Sequence, residues 1–422
     1  MRWRRRLELF SWMAIAAMIL AACGAASAPQ GSTGGTTTIR WRTQPGSTGE
    51  QAAYQALADD VTQALTSQKI QVIYEPDLSE DYVEKLKNEL AAGTAPDVFW
   101  IGGVWLADIV ATGQVLDLKP YVDADPSITL DDFYDQPLRE LSHDGKLYGL
   151  PRDVSTLVVY YNADLFQAAG ITTPKELVEQ GAWDWNALLD SARQLTDPAR
   201  GQYGVGWGNS WGLGWGYFVP AAGGKLFNAE GTACALNSPE TIAAAQFART
   251  FYAEKLRPTG GLDTLENLFN AGRVGMMWSG RWTTPSIRRD ARFNWDVAEM
   301  PAGKQRSTWL FWGAYLINAR TANPDAAWHV LKQLTGEESM GKTADLGLTI
   351  PARKSQAAVD RFLKSAPPNN NQAFLAGMAY AIPEAPLWNG SWWAYSTTVQ
   401  NLWDRMIAGE ITPEEFAERA CG

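Results

Sequence analysis

The chain has 422 residues, 46% hydrophobic and 19% charged, with a formal net charge of −10. That acidic balance excludes the concentrated basic footprint nucleic-acid binding requires, so no nucleic-acid partner is expected. The length exceeds what one hydrophobic core usually serves, and two lobes are expected.

At the N-terminus, Arg2, Arg4, Arg5 and Arg6 precede an apolar run from Leu9 to Ala22 that ends in Leu20-Ala21-Ala22-Cys23-Gly24. The run is too short for a durable membrane span, and residues 1–22 read as an export signal. A cysteine directly after Leu-Ala-Ala resembles the lipobox of bacterial lipoproteins, where the signal peptidase cuts before Cys and the thiol carries diacylglycerol. Cys23 is the candidate lipidation site, and membrane lipid an expected partner. Residues 23–36, rich in Gly, Ala, Ser and Thr, cannot bury apolar surface and read as a flexible tether. Losing residues 1–22 removes four arginines and one glutamate, so the formal charge moves from −10 to −13.

From Thr36 onward strand and helix signals alternate. Thr38–Trp41 reads as a strand, followed by a helical face of Tyr54, Leu57, Val61 and Ala64. Ile70–Tyr74 is a second strand, Tyr82, Leu86 and Leu90 mark a second helix, and Pro96–Trp100 is a third strand. This alternation predicts an α/β fold with a parallel sheet covered by helices. Asp144-Gly145-Lys146 is a turn, and Thr156–Tyr161 suits a buried strand. Pro174–Leu189 reads as a loop and then a helix around Trp185 and Leu188. The segment 204–217 alternates glycine with tryptophan, which argues against a central strand and for close backbone packing or a binding loop. Trp309–Asn318 reads as a strand, Asn323–Leu334 as a helix, and Pro413–Arg419 as the last helix.

Cysteine and histidine usage narrows the chemistry. With Cys23 assigned to lipid, Cys234 and Cys421 remain as a candidate disulfide pair in an oxidising compartment. His143 and His329 stand far apart, with no Cys or His at metal-ligand spacing, so no metal and no cofactor are expected. Twenty tryptophans are the other signal. They cluster at Trp207/Trp211/Trp215, Trp278/Trp282, Trp309/Trp312 and Trp388/Trp392/Trp393, next to Gly, Ser or Asn. Aromatic faces beside short polar groups suit a sugar, whose C–H face stacks on rings while carboxylates, amides and arginine take its hydroxyls. An aromatic peptide-binding cleft would look similar. Glycoside hydrolysis needs two carboxylates about the scissile bond. Asp97, Asp153, Glu299 and Glu384 could be nominated, but acids are abundant and no Ser-His-Asp set assembles. No catalysis is expected.

Several strings in register resemble a known family. They are Gly93-Thr94-Ala95-Pro96-Asp97-Val98-Phe99-Trp100, Asp144–Pro151, Tyr160–Phe166, Phe269–Met277, Asn323-Pro324 with Ala327-Trp328, and Gly347–Arg353. Behind a lipobox, they make the chain resemble extracellular solute-binding protein family 1, the maltose-binding-protein-like carbohydrate-binding lipoproteins of bacterial ABC importers. The resemblance covers nearly all of residues 37–420.

It implies a periplasmic-binding-protein-like type II fold, two α/β lobes with a ligand cleft and hinge between them. The first crossing would fall near Arg152–Val158 and the return near Thr308–Gly313. One lobe would hold 37–153 and 310–355, and the other 154–309 with the C-terminal helices of 356–422. The implied function is capture of a di- or oligosaccharide by lobe closure and delivery to ABC permease subunits, by a monomer held at the outer or periplasmic face of the cell membrane. A lipid-anchored carbohydrate-active enzyme and a binding protein for a non-sugar solute are the alternatives. Trp41, Trp100, Asp153, Trp211, Trp278, Trp282, Trp312 and Trp388 are the expected ligand contacts. Asp97 is expected to order the strand-end turn.

Overall fold

The computed structural model describes residues 35–45, 48–79, 81–208, 210–384, 388 and 390–422. The leader, Cys23 and nearly all of the tether lie outside them. In chain order the strands are β1 (Thr37–Thr43), β2 (Ile70–Pro76), β3 (Val98–Gly102), the hairpin pair β4 (Ser142–His143) and β5 (Lys146–Leu147), β6 (Leu150–Thr156), β7 (Val158–Asn162), β8 (Tyr203–Trp207), β9 (Val274–Ser279), β10 (Trp295–Glu299), β11 (Thr308–Ile317), β12 (Ile350–Pro351) and β13 (Ala381–Pro383). Two mixed sheets result. One runs β12-β6-β11-β3-β1-β2, with β13 against β11, and the other runs β10-β7-β9-β8.

Local chemistry explains the first sheet. β1 pairs parallel with β2 from Thr37↔Ile70 to Thr43↔Pro76, and the helix Thr48–Ala64 makes the crossover. Its Tyr54, Leu57 and Val61 are buried with Ile39 and Trp41 of β1. The helix Tyr82–Ala92 buries Tyr82, Leu86 and Leu90 and ends at Gly93, whose φ of 73° lets its N–H reach the last carbonyls. Asp97, just before β3, accepts from the Arg40 backbone N–H at 2.8 Å and from the Thr321 hydroxyl at 2.5 Å. It staples three segments together.

In the second sheet, β8 is an edge strand, parallel to β9. Its glycines permit close packing: a Cβ on Gly204 would stand 1.9 Å from the Ala192 carbonyl oxygen, and one on Gly206 2.2 Å from the Leu265 side chain. The segment 204–217 thus holds an edge strand and the start of the helix Trp215–Ala221. Pro174–Glu179, expected as loop, is a short helix. Thr173 caps it, Glu176 completes a capping box and Pro174 fills its first position.

The chain changes sheets at two neighbouring places. β6 leads through Leu157 into β7, and the return runs from β10 into β11. The buried Thr308 hydroxyl joins the crossings, accepting from the Leu157 N–H at 3.0 Å and donating to the Leu157 carbonyl at 3.2 Å. Residues 356–422 do not pack as one body on the second lobe. The helix Gln356–Lys364 packs on the helix Glu337–Asp345 and on β12 of the first sheet. Its apolar face buries Ala358 and Phe362, and Arg361 pairs with Asp345. The helix Gln372–Gly377 packs on β7 and β10 of the second sheet as well as on β6 of the first, and the helices Trp392–Ile407 and Pro413–Arg419 pack on Pro239–Ala253 of the second lobe.

Cys234 and Cys421 are joined as a disulfide with their Cα atoms 5.4 Å apart, closing 187 residues of chain. Replacing both with serine is expected to lower the unfolding free energy by about 2–4 kcal/mol, read from denaturant melts.

Candidate functional site

Between the two sheets lies a cavity of about 580 Å³, within the roughly 300–1,000 Å³ of small-molecule sites. Trp100 and Trp105, on and just after β3, and Asp153 on β6 form one wall, and Leu262, Glu266, Trp282 and Ser286 form the facing one. Phe311, Trp312 and Gly313 of β11 and Glu384 also line it. The site is therefore assembled where both crossing strands leave the first sheet.

Aromatic faces dominate. Trp282 is 39% exposed, and its ring meets Phe311 edge-on at 5.5 Å. The half-buried Trp100 ring carries the Arg152 guanidinium 5.3 Å from its centroid. Trp105 faces Trp393 at 5.6 Å, and Trp393 is 55% exposed. Gly313 permits a tight corner, because a Cβ there would stand 2.3 Å from Trp100 Nε1 and 2.6 Å from Asp153 Oδ1.

Carboxylates supply the polar chemistry. Asp153 accepts from the Gly313 N–H at 3.1 Å and from Arg152 at 2.7 Å. Trp312 is almost wholly buried, with its indole N–H donating to Glu140 and its backbone N–H to Glu384 at 3.3 Å. Burial pushes the Glu140 carboxyl up to about 7. Desolvation raises Glu384 well above the usual carboxylate range. Glu266, raised by burial, accepts from Thr283 at 2.7 Å and Ser286 at 3.0 Å. The two arginines of the lining already have partners, Arg152 in Asp153 and Tyr54, Arg281 in Asn371. Among the described residues no cluster of His, Cys, Asp and Glu could hold a metal ion.

Of the eight contacts expected from sequence, the structure brings Trp100, Asp153, Trp282 and Trp312 to this cavity. Trp41 is instead wholly buried in the first core, against Tyr54, Tyr74 and Tyr315. Trp278 is wholly buried in the second core, stacked on Trp207 at 4.3 Å with its indole N–H on the Leu213 carbonyl. Neither ring can meet a ligand there, because the inward face of each strand claims it. Trp388 stacks on His143 at 4.0 Å instead of lining the cavity, and Trp211 lines a second cavity. Trp105, Phe311 and Glu266 were not singled out by the sequence. Only the Gly102-Gly103 pair before Trp105 and the adjacency of Phe311 to Trp312 hinted at them.

Two strings carry the letters of catalytic motifs without their setting. Gly336–Thr343 fits G-x-x-x-x-G-K-T. Residues 337–343 are helical within Glu337–Asp345, and Lys342 pairs with Asp60 at 2.7 Å. No phosphate-cradling loop forms. Gly208–Gly212 fits G-x-S-x-G after β8. Both histidines of the chain belong elsewhere, His143 to the β4–β5 hairpin and His329 to the helix Pro324–Leu334 on the first sheet.

The fold and the inter-sheet cavity define a binding protein, and comparison with known proteins makes the class specific. The chain matches the family of bacterial extracellular solute-binding proteins over residues 45–341 and belongs to that family. It is 25% identical over 353 residues to the maltotriose-binding protein of Pyrococcus abyssi, covering 81% of this chain and 72% of that one. It is 25% identical over 383 residues to the galactooligosaccharide-binding protein of Bacillus subtilis, covering 86% and 85%. An ABC substrate-binding protein of Listeria monocytogenes, solved in complex with cycloalternan, superposes with a TM-score of 0.82 at 24% identity over 91% of this chain and 97% of that one. The architecture is the type II periplasmic-binding-protein fold.

The buried Glu140 gives a pH test. Its folded-state pKa lies above the ordinary 4.5, at about 7, so the folded protein holds this proton more tightly than the unfolded chain. Its contribution is full below the ordinary value and is lost as pH rises through about 7. Glu140→Gln keeps an acceptor for the Trp312 indole. It is expected to raise the melting temperature at pH 8 and to flatten its fall between pH 4.5 and 7, read from thermal melts across pH.

Proposed function

We propose that this protein captures a neutral sugar, a di- or oligosaccharide, between its two lobes and delivers it to the permease subunits of an ABC importer. The observation that carries this reading is the make-up of the inter-sheet cavity. Rings of Trp100, Trp105, Trp282, Phe311 and Trp312 stand beside the carboxylates of Asp153, Asp263, Glu266 and Glu384. Rings take the C–H faces of a pyranose, and carboxylates accept its hydroxyls. An anionic solute would meet those acids while the lining arginines are already engaged. Relatives named for maltotriose and galactooligosaccharide binding support the same ligand class.

Ligand contact is assigned to Trp100, Asp153, Trp282 and Trp312. Residues 37–153 and 310–355 form the first lobe, joined by the helix Gln356–Lys364, and 154–309 with the last two helices form the second. Ligand bridging both walls favours the closed arrangement in proportion to its preference for it. The protein acts as a monomer tethered through diacylglycerol on Cys23. Binding without turnover separates this reading from a lipid-anchored enzyme.

Trp282 is the site's safest probe because its ring is exposed. Trp282→Ala is expected to weaken sugar affinity at least tenfold, about 1.4 kcal/mol, with the melting temperature of the free protein unchanged. Titration calorimetry against maltose, maltotriose and galactooligosaccharides checks it, and unaltered affinity removes Trp282 from the site. Cys23→Ser is expected to move the protein from the membrane to the soluble fraction, as followed by fractionation and immunoblot.

A further inference from the structure

Trp312 lines the cavity, and three acids meet its indole and the peptide groups on either side of it. The indole N–H donates to Glu140 and the backbone N–H to Glu384 at 3.3 Å, while Asp153 accepts from the following N–H, that of Gly313, at 3.1 Å. The ring is closely held, since a Cβ on Gly103 would stand 2.7 Å from its Cε2 and 2.9 Å from its Nε1. Glu140 ends the helix Asp135–Glu140 and stands behind the wall, outside the cavity lining.

Charge on Glu140 is poorly offset. Its own helix brings Gln136 beside the carboxyl, Arg139, which acts on it without an ion pair, and Asp135, which is paired with Lys354 at 2.7 Å. β4 packs on that helix and brings His143, stacked on Trp388 and 3.4 Å from Asp144. β6 brings Arg152 and Asp153, paired with each other at 2.7 Å. Across Trp312 stands Glu384, a further acid. Among the described residues no cation pairs with Glu140, so its ionised form draws on nearby water. A neutral sugar against Trp312 and Glu384 expels the cavity water, which costs the charged form of Glu140 and not the neutral one. Standing behind the ring, Glu140 gains no sugar hydroxyl in exchange.

We propose that Glu140 is a positioning residue of the sugar site that holds the Trp312 ring while neutral, so that at alkaline pH sugar capture moves a proton from solvent onto the Glu140 carboxylate. This rests on the sugar-binding reading and adds a linkage to protons. Binding that favours the neutral acid is tighter at low pH and weaker as the carboxyl ionises.

The test is titration calorimetry on the full chain in detergent, with maltotriose and a galactooligosaccharide between pH 6 and 8.5. Wild type is expected to lose about fivefold in affinity across that range, and paired titrations in phosphate and Tris at pH 7.5 are expected to show net proton uptake. Glu140→Gln keeps an acceptor for the indole N–H and cannot ionise, so its affinity is expected to stay level with pH and its binding heat to be the same in both buffers. Glu140→Ala leaves that N–H without its acceptor and is expected to bind about tenfold more weakly than Glu140→Gln at every pH. Should Glu140→Gln fail to melt cooperatively, His143→Gln decides: it is expected to keep the wild-type uptake, and loss of uptake there moves the proton to the imidazole and overturns the assignment. A level affinity in wild type, proton release, or an undiminished pH dependence in Glu140→Gln also overturns it and leaves the sugar-binding reading intact. Binding of neither sugar at any pH overturns both.

Discussion

The rest of this structure depends on the pair of strands β6 and β11. They run antiparallel through the first sheet, with a register shift at Gly313/Ala314, and the crossings to the second lobe lie at their ends. The buried Thr308 hydroxyl pairs both the N–H and the carbonyl of Leu157 where the strands part. Asp153 and Ser155 of β6 and Phe311, Trp312 and Gly313 of β11 line the cavity. Hinge and binding wall are therefore one piece of backbone. A movement of the lobes must alter the distance between Trp282 and the β11 rings, and a ligand held by both acts directly on that movement.

The same place concentrates buried acid. Glu140, Glu384 and Asp153 surround Trp312, with Trp312 donating to the first two and Gly313 to the third. Burying carboxyl groups costs stability unless they are hydrogen-bonded or neutral. Here backbone and indole N–H groups meet that need while the ring of Trp312 is fixed in place. The cavity thus keeps an acceptor-rich character, with its lining arginines held by Asp153 and Asn371.

Much of the scaffold was legible because it follows periodicity. The strands near residues 38, 70 and 98, the faces of Tyr82, Leu86 and Leu90 and the last helix at Pro413–Arg419 all follow from local pattern, whereas Asp97, expected to order its own turn, bonds to Arg40 and Thr321 far away in sequence. The site was legible only in part. Tryptophan is equally at home under a sheet and in a cleft, and a strand directs alternate residues to opposite faces. Trp41 and Trp278 sit on inward faces, whereas Trp100 and Trp312 reach the cavity from strands. Which face is inward is decided by partners distant in sequence. Gln356–Lys364 was misplaced for the same reason, since its amphipathic face names no partner. Thr173-Pro174-Lys175-Glu176, by contrast, carried a readable capping box and still passed as loop.

The disulfide has a consequence for biogenesis. Its two sulfurs stand 187 residues apart in sequence, so the bond cannot form until the chain from Cys234 to Cys421 has reached an oxidising compartment. The first sheet is similarly late, because β11, β12 and β13 are supplied from beyond residue 307. Native pairing at such separations is slow, since loop closure must precede the contacts that reward it. The second sheet, whose four strands all lie between Val158 and Glu299, carries no such delay, so the two sheets close at different points in the emergence of the chain.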